Sequence, residues 1–120
     1  MRDHTKLTAF TLADEMVLFV YRLTKMFPKE EIYGLASQMR RAAISVPSNL
    51  VEGCARETYR EYQRFIEIAL GSAKELRYQY SIAVRLGYVP ASDISQGDVN
   101  MLELEKVLSA LLRALRPKPS

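Results

Sequence analysis

Apolar residues recur along this chain at intervals of three and four, the spacing that gathers side chains onto one face of a helix. The pattern comes in four segments. Over residues 8–27, Leu12, Met16, Phe19, Leu23 and Met26 form one stripe and Ala13, Val17, Val20 and Phe27 a neighbouring one, so the first helix has a wide apolar face. Thr8 or Thr11 is placed to cap it, and Pro28 ends it. Residues 31–55 carry Leu35, Met39, Ala42, Val46 and Leu50 on one side, with Glu30 and Glu31 where the positive end of a helix favours acids. In residues 58–86, Thr58 and Glu61 have capping-box spacing, and Tyr62, Phe65, Ala69, Ala73, Leu76, Tyr80 and Ala83 follow in near-heptad steps. Gly87 and then Pro90 close that segment as helix C-termini usually close. The fourth, residues 92–115, begins near Ser92 or Ser95 and runs along Met101, Leu104, Leu108, Leu111 and Leu115, with Gly97 expected to fray or bend its first turns. No segment alternates with period two.

The second segment departs from a plain core helix. Beside its seam runs a stripe of hydrogen-bonding groups, Gln38, Arg41, Ser45, Ser48 and Glu52, while Ala42, Ala43 and Ser45 leave room for another helix to approach. Pro47 falls in the middle. It lacks an amide hydrogen and crowds the carbonyl four residues back, so the chain must either bend or break there, at a cost of roughly 3 kcal/mol. The apolar spacing continues in phase across the proline, which favours a kinked helix over a break followed by a new helix capped by Ser45.

Four amphipathic segments joined by short turns predict an all-α fold: an antiparallel up-down-up-down four-helix bundle, its second helix kinked at Pro47, filling residues 1–120 as a single domain. At 120 residues and 48% hydrophobic the chain can bury one core. Leu18, Phe19, Tyr21, Ile66, Leu70, Leu102 and Leu112 lie beside the main seams, and some are expected to remain outside the core and meet a partner.

Charge and candidate chemistry narrow the function classes. The single cysteine excludes an internal disulfide and suits a reducing cytoplasm. No stretch approaches the ~20 apolar residues of a membrane span, and residues 1–6 lack the apolar run of a signal peptide. His4 is the only histidine, so neither a histidine-based metal cluster nor a catalytic triad can be assembled, and the Glu-x-x-His pairs of dimetal bundles are absent. There is no phosphate-cradling glycine loop. No cofactor or metal is expected, and the reading is not an enzyme.

A net charge of +3 permits nucleic-acid binding without requiring it. Lys74, Arg77 and Arg85 follow one another along the third segment with Tyr78 between them, and no acid occurs from Leu76 to Ser92. In an up-down-up-down bundle the first and third helices are parallel, so Arg22, Lys25 and Lys29 should approach the same end. That end is the first candidate surface for phosphates, although helix C-termini there also attract cations. A secondary basic stripe, Arg56, Arg60 and Arg64, has Glu57 and Glu61 beside it. Arg40, Arg41, Ser45, Asn49, Glu52 and Glu75 form a candidate polar network between helices or subunits, with Arg40 or Arg41 reaching Glu75 and Glu52 reaching Arg56. Buried, such pairs would fix alignment; exposed, they are worth ~0–1 kcal/mol.

The stretch Ser37 to Gly53, SQMRRAAISVPSNLVEG, closely resembles the signature of the four helix bundle protein family, which includes proteins encoded in intervening sequences of bacterial large-subunit ribosomal RNA genes. The resemblance extends to Phe27-Pro28 with Glu31, Tyr33-Gly34-Leu35, Phe65 with Ile68-Ala69, Gly71-Ser72-Ala73 with Glu75-Leu76, and Leu86-Gly87-Tyr88. The accessory variability determinant of diversity-generating retroelements looks like a relative of this fold. The resemblance implies a homo-oligomer, a pentameric ring, and a protein partner such as a reverse transcriptase.

Two functions follow from these readings. One is a homo-oligomeric module that holds RNA or DNA through phosphates, as accessory to a nucleic-acid enzyme. The other is a protein-interaction scaffold whose arginines serve subunit packing.

Overall fold

A computed structural model describes residues 2–115. After one 3-10 turn at His4–Lys6 come four α-helices: α1, Thr8–Thr24; α2, Leu35–Cys54; α3, Tyr59–Arg85; and α4, Ala91–Leu115. They form an all-α four-helix bundle, elongated at 51 × 23 × 20 Å, in which α1 packs on α2 and α4, and α3 packs on α2 and α4. Contacts between α2 and α3 are the most extensive, and those between α1 and α4 the least.

The seams predicted from spacing line the interior. Met39, Ala42, Val46 and Leu50 of α2 face Ala69, Ala73, Leu76, Tyr80 and Ala83 of α3, and Met101, Leu104 and Leu108 of α4 complete the core with Ala13, Met16, Val20 and Leu23 of α1. Two residues assigned to the flanks belong inside: Ile66 and Leu112 are buried, because α3 and α4 each cover an arc broader than one stripe. Leu18 and Leu102 remain exposed, and Met26, expected on the α1 seam, lies in the turn beyond that helix and faces solvent.

Helix ends show where local chemistry overrides periodicity. Helix α1 starts after Leu7 without a side-chain cap, so neither Thr8 nor Thr11 plays that part. It ends at Thr24, three residues before the expected boundary, and α2 begins four residues later than predicted, after a 3-10 turn at Lys29–Glu31. Glu31 explains the delay. Its Oε1 accepts from the Leu35 amide at 3.1 Å, capping α2 from four residues upstream, while its Oε2 accepts from the Tyr88 hydroxyl at 2.9 Å. Thr58 caps α3 as the spacing implied: its Oγ1 accepts from the Glu61 amide at 3.1 Å and donates to Glu61 Oε1 at 3.0 Å. Gly87, at φ +78, ends α3 in a left-handed turn with Tyr88 N bonded to Ala83 O and Gly87 N to Val84 O.

Pro47 lies inside α2, buried, and the helix continues through it. One turn is therefore deprived of its amide. The carbonyl left without it is that of Ala43; in the overlapping turn Asn49 Nδ2 donates to Ser45 O at 2.7 Å and to Ser45 Oγ at 3.0 Å. Gly97 does not loosen α4; it lies buried within the helix against Tyr80.

Candidate nucleic-acid interface

Helix α3 turns Leu76, Tyr80 and Ala83 into the core, so positions 74, 77, 78, 81 and 85 emerge on its other side. Where that side meets α4, Lys74, Arg77, Tyr78 and Ser81 line one groove with Asp98 and Leu102. Arg77 crosses to α4 and grips Glu105 through a two-pronged pair, Nε to Oε2 and Nη2 to Oε1. Glu105 is only 8% exposed, so the pair anchors the guanidinium against α4 while leaving part of the Arg77 side chain open to the groove. Arg85 is laid back along α3, Nε donating to Ser81 O and Nη2 to Ser81 Oγ, each at 3.2 Å, while that hydroxyl donates to Tyr78 O at 2.7 Å. Lys74, Arg77 and Arg85 are thereby brought to one face, as the sequence proposed.

The α1 cations are not. Arg22 lines a different groove, between α1 and α4, with Glu15, Phe19, Gln96 and Asn100. Lys25 and Lys29 are exposed in the turns that follow α1. The ends of α1 and α3 do meet, since Tyr88 bonds Glu31 and its ring lies 5.3 Å from that of Phe27. The start of α4 nevertheless separates the two groups of cations, so a shared end is not a shared surface.

In the secondary stripe, Arg60 and Arg64 line a groove with Glu61 and Glu67, so acids accompany them in space as well as in sequence. Arg56 lies 4.0 Å from the exposed Glu52 and 4.9 Å above the Phe65 ring.

The polar network between helices forms, but with other partners. Ser45 and Ser72 share a hydrogen bond of 2.8 Å between α2 and α3, which accounts for the small residues at that crossing. The anticipated ion pair of Arg40 or Arg41 with Glu75 is not made. Arg40 points the other way, donating to Thr24 Oγ1 at 2.8 Å with its guanidinium 4.7 Å from the Tyr21 ring centre, because position 40 lies on the α1-facing edge of α2. Arg41 is exposed beside it, and Glu75 accepts from Gln79 at 3.2 Å within α3. Gln79 is nearly buried, and its Oε1 lacks a hydrogen-bond partner.

The pairing of Arg77 with Glu105 was not anticipated, although a carboxylate four residues after Met101 and three before Leu108, on an apolar seam, is a signal that a cation must come to it. Arg2 was not anticipated either. Its amide donates to Cys54 O and its Nη1 to Arg56 O, both at 3.1 Å, and its guanidinium covers the rings of Tyr62 and Tyr59 at 4.2 and 4.9 Å. Cys54 beneath is buried, and burial pushes its thiol pKa up. Among the described residues, no three His, Cys, Asp or Glu side chains converge as metal ligands would, and no helix is long and apolar enough to cross a membrane.

The bundle is similar to the crystal structure of a protein with unknown function from the S23 ribosomal protein family of Bacteroides thetaiotaomicron, with a TM-score of 0.80 and 19% identity over 88% of this chain and 95% of that one. No curated protein matches the sequence. The model of one family, described as 23S rRNA-intervening sequence protein, matches residues 5–110, nearly the whole bundle. This chain belongs to the 23S rRNA-intervening sequence protein family.

Proposed function

We propose that this protein is a non-enzymatic, cytoplasmic helical bundle that assembles with copies of itself and binds RNA or DNA through phosphate contacts, as accessory to a nucleic-acid enzyme. The observation that carries the reading is the α3/α4 groove, where Lys74 and Arg77 converge with Arg85 close by and Asp98 is the one carboxylate among the described lining residues. Each phosphate neutralised by such a cation releases condensed counterions, so several modest contacts add up to useful affinity. Self-association multiplies the groove. Exposed Leu18, Ile44, Val51 and Ile68 on α1, α2 and α3 support a homo-oligomer. The pentameric ring and the reverse-transcriptase partner rest on the resemblance carried by the Ser37–Gly53 stretch.

Two measurements test this. Light scattering should give a multiple of the 13.7 kDa chain mass. Binding to mixed RNA and DNA should weaken steeply with salt, and changing Lys74 and Arg85 together to Gln should flatten the salt slope by roughly 0.7–0.9 for each phosphate no longer neutralised. The second reading, a protein-interaction scaffold, is favoured by Arg77 being engaged with Glu105 and by the exposed apolar side chains. No retention of either nucleic acid at low salt would leave that reading alone.

A further inference from the structure

We infer that the α3/α4 groove takes an unpaired strand of nucleic acid and seats one base, preferentially guanine, between Tyr78 and Leu102. This rests on the phosphate-binding reading above and adds what a backbone contact alone would not need. Tyr78 is 64% exposed and Leu102 43% exposed, two large apolar side chains facing water in the one groove that also holds Lys74 and Arg77. An aromatic face beside cations suits a stacked base with its phosphates at the rim. In a duplex the base faces are already stacked and their edges paired, so that platform would have nothing to hold.

The groove is ordered along its length. The Arg77–Glu105 pair sets the register of α3 against α4, which places Lys74 on one side of the Tyr78–Leu102 platform and Ser81, Asp98 and Arg85 on the other. The Arg85 guanidinium is held at Ser81, about 10 Å along α3 from Lys74 at the helical rise of about 1.5 Å per residue, so a cation stands on each side of the platform and successive phosphates can be held at once. The occupant is therefore a strand. Asp98 is the odd member, because a carboxylate at a phosphate site works against binding. It makes sense against a base edge: guanine alone offers two adjacent N–H donors, N1–H and the 2-amino group, to the two oxygens of a carboxylate. Glu105 is a positioning residue, acting through Arg77.

Fluorescence anisotropy on the full chain tests this, with labelled oligouridylate of about ten nucleotides, the same strand carrying one central guanosine, its DNA counterpart and its duplex. The guanosine strand should bind at least about fivefold tighter than the duplex, with GMP a poor competitor. Tyr78→Ala should remove about fivefold or more from single-strand affinity, leave duplex binding and the salt slope unchanged, and keep the helical circular dichroism of the wild type. Asp98→Asn should abolish the guanosine preference without weakening binding to oligouridylate. The deoxy strand should match the ribo strand, since nothing in the groove is assigned to the sugar. Duplex binding as tight as single-strand binding, with Tyr78→Ala inert, overturns the inference while the phosphate reading stands. Absence of binding to every probe at low salt, where Lys74 should be most effective, overturns both.

Discussion

The phenol of Tyr80 fills the space beside Gly97 where any other residue would carry its Cβ. A methyl group there would lie 2.2 Å from Tyr80 Oη and 2.5 Å from Cζ. The hydroxyl, passing α4 at that gap, donates to Ile94 O at 3.1 Å and Asp93 O at 3.2 Å. Helix propensity alone would make Gly97→Ala stabilising by about 1 kcal/mol. We expect the reverse, a loss of about 1–3 kcal/mol by urea denaturation, because the ring is packed in the core and cannot retreat. Gly71→Ala is the counterpart: nothing lies within 4 Å of its Cβ position, mid-helix and exposed, so it should gain about 0.5–1 kcal/mol.

Alkaline pH should find the same tyrosine. Burial, with Asp98 and Asp93 adding to it, raises the Tyr80 pKa to about 12, above the ordinary value of 10.0. In the folded state the phenol keeps its proton where the unfolded chain would release it, so its contribution to stability is complete below pH ~10 and disappears as pH rises toward ~12. Tyr62, raised mainly by burial, and Tyr88, raised mainly by its bond to Glu31, act in the same direction. Chemical denaturation between pH 8 and 12 should show a decline that Tyr80→Phe makes shallower.

Arg77→Gln should destabilise the bundle as well as weaken binding, by about 1–3 kcal/mol, since it leaves the nearly buried Glu105 without its cation. Replacing both, Arg77→Met with Glu105→Leu, should recover most of that loss by removing the orphaned charge. Lys74→Gln should leave stability within about 0.5 kcal/mol, because Lys74 is exposed. Comparing the two single variants separates the fold from the groove.

Arg2→Ala should make Cys54 react faster with a thiol reagent at mildly alkaline pH. The side chain of Arg2 ties the start of the chain to Arg56 O and lies across Tyr62, closing the corner where α2 ends and α3 begins. Full protection of Cys54 in the variant, at the wild-type rate, would mean that the helices alone seal it.

The helical seams were legible because each depends only on spacing within a segment: Met39 to Leu50 and Leu76 to Ala83 could be placed before any partner was known. What spacing cannot carry is which residue of one helix meets which residue of the next. Arg40 turned to Tyr21 and Thr24 rather than Glu75, Gly97 met Tyr80, and Arg77 found Glu105 twenty-eight positions away; each depends on the register between helices. The basic end was legible as an end but not as a surface, since Arg22 lines the groove between α1 and α4 while Arg85 lies back along α3 on Ser81. The continuation of α2 through Pro47 was legible because its neighbours keep phase on both sides.

The unequal interfaces of the bundle also carry a kinetic consequence. Helices α2 and α3, joined by a tight turn and sharing the broadest contact, form a hairpin whose loop closes at small entropic cost, whereas α1 and α4 must find each other from opposite ends of the chain. Amide hydrogens at the centre of the hairpin, around Val46 and Ala69, should exchange only on global unfolding. Those of α1 and α4 should exchange through a smaller opening along their shared seam, which makes the Phe19 side of the bundle the place where the native state breathes first.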